Sequence, residues 1–308
     1  MIVTFIDIYR VRFGLSPVCA VLTQHGISIA PSTYYARRSM PVTPAELEDA
    51  YLANALVTLH RENWSVYGVH KLWHVARRQG LELGRDQVAR LMGIAGVVRG
   101  RHATRTTRRE EKAPRHPDLV QRNWDAPTGP DQLWVADFSY VWTLVGFVYV
   151  AFVVDVFSRR ILGWRVATSM RMFLVTDALR QAIDPRHRTG AYWEAGTLVH
   201  HSDAGAQYTS LALTAELAEA GIAGSIGTVG DALDNALCQS TIGLFKTEAI
   251  HDGGPTWKNR AEVEWQVTAW VRWYNHNRLH SAVGHLPPLE FENAHRQAKT
   301  VAPIPEVA

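Results

Sequence analysis

The 308-residue chain is 47% hydrophobic and 20% charged, a balance that describes a soluble globular protein with room for two or three domains. No apolar run reaches the roughly 20 residues of a membrane span, which sets membrane functions aside. The net charge of +3 hides a split: residues 1–130 hold 18 Lys+Arg against 11 Asp+Glu, and residues 131–308 hold 14 against 18. A basic front half suits nucleic acid, and an acidic back half suits cations.

The opening MIVTFIDIYRVRFG carries Asp7, Arg10 and Arg12 and has no signal-peptide cleavage pattern, so the chain reads as intracellular. Cys19 and Cys238 form no CxxC, which suits a reducing compartment and gives no zinc site. Pro17 to Gln24 reads as helix with Gly26 as its stop, and Ser32 or Thr33 as the cap of a short helix. Thr43 before Glu46 looks like a capping box. It opens a helix from Pro44 to His60, with Leu47, Tyr51, Leu52, Ala55, Leu56 and Leu59 at helical spacing.

Residues 67–98 read as a helix, a turn at Gly80, a short extended LEL, a turn at Gly84 and a second helix from Arg85 to Met92, a helix-turn-helix-like order. In such motifs the second helix enters the major groove, so Arg85, Gln87 and Arg90 are DNA-facing candidates. His70, Lys71, Arg77 and Arg78 are candidates for phosphates. Residues 99–117 carry a basic run, including Arg101, Arg105, Arg108 and Arg109, with almost no large apolar residue. This linker suits a phosphate backbone.

Residues 132–168 are three apolar runs broken at 144–146 and 157–160, a three-stranded meander. Trp134, Trp142, Tyr149 and Trp164 read as its core, and Asp155 as the end of its second strand, pairing with Arg159 or Arg160. Asp137 interrupts the first run, LWVADFSYVW, where an unpaired carboxylate is costly unless a cation meets it. A helix over 170–183 follows, then a short strand at Leu198 to His200 with Asp203 just past it. A helix begins at Thr209 or Ser210, IAGSIG is a fifth strand, and a helix runs from about Asp234 to Ile250. That order predicts an α/β ribonuclease-H-like core, a five-stranded mixed sheet flanked by helices, preceded by a helical region. A last amphipathic helix covers 257–275. Arg272, Asn275, Asn277, Arg278 and His280 form a polar cluster that binds DNA or fastens this helix to the core, and a tail begins at PPLE.

The segments LWVADFSYV, YVAFVVDVFSRRILGWRV, LVHHSDAGAQYTS, GDALDNAL and WYNHNRLHSAVGHLPPLE resemble the OrfB transposase of the insertion-sequence-three family, whose catalytic domain is similar to retroviral integrase. The resemblance runs over nearly the whole chain and implies cleavage of 3′ ends and strand transfer to a second DNA. It implies a site of three acids holding Mg²⁺, with Mn²⁺ able to substitute. Asp137 and Asp203, with 65 residues between them, match the first two acids; the family's third is a Glu separated from the second by 35 residues, and here that position is Gln239.

Gln lacks the charge that holds Mg²⁺, so Gln239 reads as an inactivating replacement, either introduced or carried by a decayed copy. The expected catalytic and metal set is therefore Asp137, Asp203 and position 239. Lys246, at i+7 from Gln239, is expected at a DNA phosphate, and Asn235 orients the site or caps its helix. His200 and His201 are weaker metal candidates.

The expected domains are 1–43, 44–98, the linker 99–127, the core 128–250 and an extension 251–308. The resemblance implies double-stranded DNA as partner, a homo-oligomer on it, an element-end-binding protein or fusion from an upstream frame, and a bacterial cytoplasm near the nucleoid. A non-catalytic DNA-binding or assembly protein of transposition, or a nuclease that cleaves without joining, is the competing reading.

Overall fold

A computed structural model describes residues 2–40, 42–97, 118–120, 123–170, 173–203, 205, 207–227, 235–250 and 256–301. Two compact units divide the chain, Met1–Arg99 and Gly100–Ala308.

In the first unit, α1 (Ile2–Phe13), α2 (Leu15–Gln24) and α3 (Pro31–Ser39) meet around Ile6, Val18, Cys19 and Tyr34. Pro31 occupies the first turn of α3 and Ala30 the cap position, so neither Ser32 nor Thr33 caps it; proline fixes the helical φ there and has no N–H to leave unsatisfied. Helix α4 (Pro44–Glu62) starts with the expected capping box, with Thr43 Oγ1 accepting from Glu46 N and Glu46 accepting from Thr43 N. Leu56 and Leu59 are buried, but Leu47 and Tyr51 of the expected apolar stripe are exposed. Helices α5 (Val69–Arg78) and α6 (Arg85–Ile94) bury Leu72, Val75 and Ala76, and Val88, Leu91 and Met92. Their connection runs through Leu81–Leu83 without forming a strand, pinned by Trp73 Nε1 donating to Leu83 O at 2.8 Å.

The second unit is built on a five-stranded sheet in the order β3-β2-β1-β4-β5, formed by β1 (Leu133–Thr143), β2 (Gly146–Asp155), β3 (Ile161–Ala167), β4 (Val199–Ser202) and β5 (Ala223–Ile226). The meander is antiparallel, while β4 and β5 run parallel to β1. Helix α7 (Phe173–Arg188) covers one face through Leu174, Val175, Ala178, Leu179 and Ala182, joined by Leu213 and Leu217 of α8 (Leu211–Glu219). The other face carries α9 (Ala236–Phe245), which continues as a π-helical turn Lys246–Ile250, and α10 (Arg260–His276), with Phe152, Phe245 and Trp270 in mutual ring contact.

Helix α7 lies so close to β3 that only glycine fits at 163. A Cβ there would overlap Ala178 O and stand 2.9 Å from Ala182 N, both backbone atoms that cannot rotate away. Gly163→Ala is expected to cost about 3 kcal/mol through displacement of α7, read as a lowered midpoint in urea unfolding.

Three expectations are corrected. Trp142 is 62% exposed and Tyr149 and Trp164 are half-buried, leaving only Trp134 of that set fully in the core. Asp155 meets both arginines through the backbone only, its N–H donating to Arg160 O and its O accepting from Arg159 N, each at 2.9 Å; its carboxylate accepts instead from Ser158 N and Oγ, both at 2.7 Å, and from Asp131 N at 2.9 Å. The expected tail forms another helix, α11 (Pro288–Val301). It docks through charge: buried Glu292 accepts from Arg186 and from Arg160 (3.3 Å), while Arg186 also pairs with Asp131 at 2.9 Å.

Candidate active site

Asp137 and Asp203 are far apart in the chain and are brought side by side by strand register. Strand β4 pairs with β1 from Leu133↔Val199 to Ala136↔Ser202. One step further sets Asp203 beside Asp137. In-register residues of neighbouring strands point to the same face, and such strands lie about 4.8 Å apart. Asp137 also sits opposite Phe152 of β2, so it faces α9 and α10.

Electrostatics report the crowding. Burial raises the Asp137 pKa and the Asp203 charge raises it further, while the Phe138 N–H, 2.8 Å from Oδ1, and Lys246 pull it back. Burial likewise raises Asp203, against the Gly205 N–H at 3.2 Å and the charge of His201. The Tyr208 hydroxyl is buried, has no hydrogen-bond partner among the described residues, and is pushed up by burial and then by the same two carboxylates. Two desolvated like charges are stabilised by a cation, and an all-oxygen donor set fits a hard divalent ion such as Mg²⁺. The residues present fit that group.

Helix α9 is fastened across β1 just before Asp137. Asn235 Nδ2 donates to Ala136 O at 2.9 Å, and Cys238 Sγ lies 3.9 Å from Val135 O. Asn235 occupies the cap position but makes no side-chain cap; its amide is turned to β1 instead. Gln239 follows buried Cys238 and is exposed. At the far end of the helix, Lys246 Nζ lies 5.1 Å over the Tyr140 ring and its charge reaches Asp137. The described contacts thus join Asp137, Asp203, Tyr208 and Lys246 and leave Gln239 at the helix surface. The start of the expected helix at Asp234 lies outside the described residues.

The π turn is held by a buried ion pair. Glu248 accepts from Arg278 Nη2 at 2.6 Å and Nε at 3.0 Å and from Trp270 Nε1 at 3.2 Å. Glu248 is therefore committed to the core. Arg278, Asn275 and His280 of the C-terminal cluster are buried, with Asn275 bridging Ile161 N and O at 2.9 and 2.8 Å. They fasten α10 to the core, while Arg272 and Asn277 are exposed.

His201 is buried and held by β5 and Trp124. Its Nδ1 is 2.8 Å from Ser225 Oγ, with Trp124 packed on its ring. His200 lies against Tyr208.

In the first unit, Arg85 is exposed and Gln87 half-buried, while Arg90 makes two bonds to Asp49, at 2.6 and 2.8 Å, that tie α6 to α4. Lys71 and Arg77 lie over Tyr67 and Trp73, at 5.4 and 5.2 Å from the ring centres. Arg101, Arg105, Arg108 and Arg109 lie outside the described residues. Sequence reading missed Tyr208, whose only signal is its place five residues after Asp203, and the buried partner of Glu248.

Such a sheet, with its carboxylates at the β1/β4 junction, defines a ribonuclease-H-like integrase core. Residues 127–232 match the family described as Integrase core domain, 220–288 match a second family of the same description, and 46–105 match HTH-like domain. The chain is 45% identical over 270 residues to the "Putative transposase for insertion sequence element IS986/IS6110" of Mycobacterium tuberculosis, covering 87% of this chain and 96% of that one. It is 45% identical over 298 residues to the "Transposase for insertion sequence element IS629" of Shigella sonnei, covering 94% and 95%. Among solved structures it is similar to the HTLV-2 integrase catalytic core domain in complex with magnesium, with TM-score 0.39 and 11% identity over 54% of this chain and 98% of that one. The chain belongs to the insertion-sequence transposases of the insertion-sequence-three family, with an integrase core and a helix-turn-helix-like DNA-binding region. Among the described residues, no helix is long and apolar enough to cross a membrane.

Proposed function

We propose that this transposase cleaves the 3′ ends of its element and joins the freed 3′-hydroxyl to a second DNA duplex, and that Gln239 holds this activity down. The observation that supports the reading is the β1/β4 register, which runs to Ala136↔Ser202, the residues just before Asp137 and Asp203, together with the Asp203 charge acting on Asp137. Those two side chains would hold Mg²⁺, or Mn²⁺ in its place. When bound, divalent ions activate the attacking oxygen and stabilise the leaving one.

The chain's own residues do the rest. Lys246, between Tyr140 and Asp137, meets the phosphate next to the reacting one. Asn235 and Cys238 fix α9 on β1, so that a carboxylate at 239 completes the site on the exposed face. Arg85 and Gln87 on α6 enter the major groove; Arg90 joins them by exchanging Asp49 for DNA. Lys71, Arg77 and the linker arginines Arg101, Arg105, Arg108 and Arg109 engage phosphates, a contribution that falls with salt. Residues 44–98 act as the DNA-binding part and 128–250 as the catalytic core. A homo-oligomer assembles on the DNA with an element-end-binding partner or fusion, in the bacterial cytoplasm.

The competing role, a non-catalytic assembly protein, is favoured by the exposed neutral Gln239. Strand transfer with the Gln239→Glu chain, labelled element-end duplex and Mg²⁺ separates the readings. The proposal expects joined products. Cleaved ends without joining would indicate a nuclease, and inertness with DNA binding intact would indicate the assembly role.

A further inference from the structure

Helices α1–α3 precede the helix-turn-helix-like region and have a small core of their own, Ile6, Val18, Cys19 and Tyr34. Helix α2 closes on Gly26 in the left-handed region, φ 85°, with Ile27 N donating back to Leu22 O at 2.9 Å. The chain turns through residues 25–30, where Thr23 Oγ1 accepts from Ile29 N at 3.4 Å, and restarts as α3 with Pro31 in its first turn. Three short helices with a glycine turn between the second and third make the frame of a groove-reading unit.

Helix α3 holds to that frame through one buried residue. The Tyr34 hydroxyl donates to Asp7 Oδ1 of α1 at 2.6 Å, and Arg10 lies over the Tyr34 ring at 5.5 Å. Ser32, Tyr35, Ala36 and Ser39, spaced i, i+3, i+4 and i+7, share the opposite face, and all four are exposed.

The chemistry of that face gives its occupant. Apart from Tyr35 its side chains are small, so a protein partner would find little apolar area to bury. Small side chains instead let a helix about 10–12 Å across enter a major groove about 12 Å wide, where Ser bonds base edges and Ala meets the thymine methyl. Charge agrees. Residues 1–43 hold four arginines and one acid, Asp7, which Tyr34 and Arg10 already engage. Arg12 and Arg38 are exposed and make no ion pair among the described residues, whereas Arg85 and Arg90 of α6 already meet Asp86 and Asp49.

We propose that α3 is a second duplex-reading helix of this chain, with Ser32, Tyr35, Ala36 and Ser39 at base edges in the major groove and Arg12 and Arg38 on the flanking phosphates. It adds to the contact assigned to α6. It rests on the chain's binding duplex DNA and not on the reaction at Asp137 and Asp203.

The test titrates the full Gln239 chain into a labelled element-end duplex by anisotropy, and maps the occupied major groove by protection of guanine N7 from dimethyl sulfate. Tyr35→Ala is expected to weaken binding about ten-fold, the size of one lost base contact, and to lose one protected patch while keeping the patch that Arg85→Ala loses. Because Tyr35 also packs edge-on against Tyr34 at 5.2 Å, the exposed Ala36→Glu is the second variant; its carboxylate faces the phosphates and should remove the same patch. Arg12→Gln should weaken this duplex and a scrambled one alike and make the slope of log affinity against log salt shallower by about one. Unchanged affinity and protection in both α3 variants would overturn the proposal, as would loss of one and the same patch by the α3 variants and Arg85→Ala. Protection is read without catalysis, so a patch lost with α3 while Gln239→Glu joins no strands would defeat the transposition reaction and leave the second reading helix standing.

Discussion

Changing Gln239 to Glu is expected to raise Mg²⁺-dependent strand transfer on the order of a thousand-fold. A missing metal ligand removes several kcal/mol of transition-state stabilisation, and each ~1.4 kcal/mol is a factor of ten. The structure favours a clean gain. Position 239 is exposed, while its neighbours Cys238 and Asn235 already fix the helix on β1, so a carboxylate enters without repacking. Glu248 does not already do this work, because Arg278 and Trp270 hold its carboxylate in the core. An unchanged rate in a single-turnover joining assay would show that position 239 is not the third ligand.

Replacing Glu292 by Gln is expected to destabilise the second unit by about 3–5 kcal/mol, the usual cost of leaving a buried charge without its partner. Glu292 is 1% exposed and receives Arg186 and Arg160 from the sheet side and Arg296 (3.0 Å) from its own helix. Burial alone would raise its carboxyl; the Arg186 bond and charge, then Arg160 and Arg296, outweigh it and hold the pKa at about 2. A depressed carboxylate stabilises the fold above its ordinary pKa of about 4.3 and loses that contribution as pH falls through about 2. Asp155 acts in the opposite direction. Burial pushes it up to about 6 against the Ser158 and Asp131 bonds, so its contribution is full at low pH and lost as pH rises through about 6. Urea midpoints should therefore diverge most between parent and Glu292→Gln above pH 4.5 and converge towards pH 2. A constant gap across that range would contradict the assignment.

What the sequence made legible follows from periodicity. The meander, α7 and α10 carry their apolar residues at the spacing of their own geometry, and in the two helices the expected buried sets match. Helix α11 was not legible because its inward positions, Phe291, Glu292, His295 and Arg296, are mostly polar; they dock by charge, which hydropathy reads as tail. Trp142 reads as core for the converse reason: alternation shows which face a residue is on, not where the covering helix ends. Asp137 was visible as a carboxylate inside an apolar strand. Its neighbour across the sheet was not given by local pattern, since parallel register depends on how a long crossover packs. Arg90 looked free for DNA because its partner Asp49 is 41 residues earlier, beyond helical spacing.

Under the proposed function, Asp137 and Asp203 together hold one divalent-ion site. Titrating Mn²⁺ into the full Gln239 chain by calorimetry, beside its Asp137→Asn and Asp203→Asn variants, tests it most directly. Weak binding by the parent is expected, lost in each variant with thermal stability kept or raised, because either change removes a buried like charge. Binding by Asp137→Asn as tight as by the parent would contradict it.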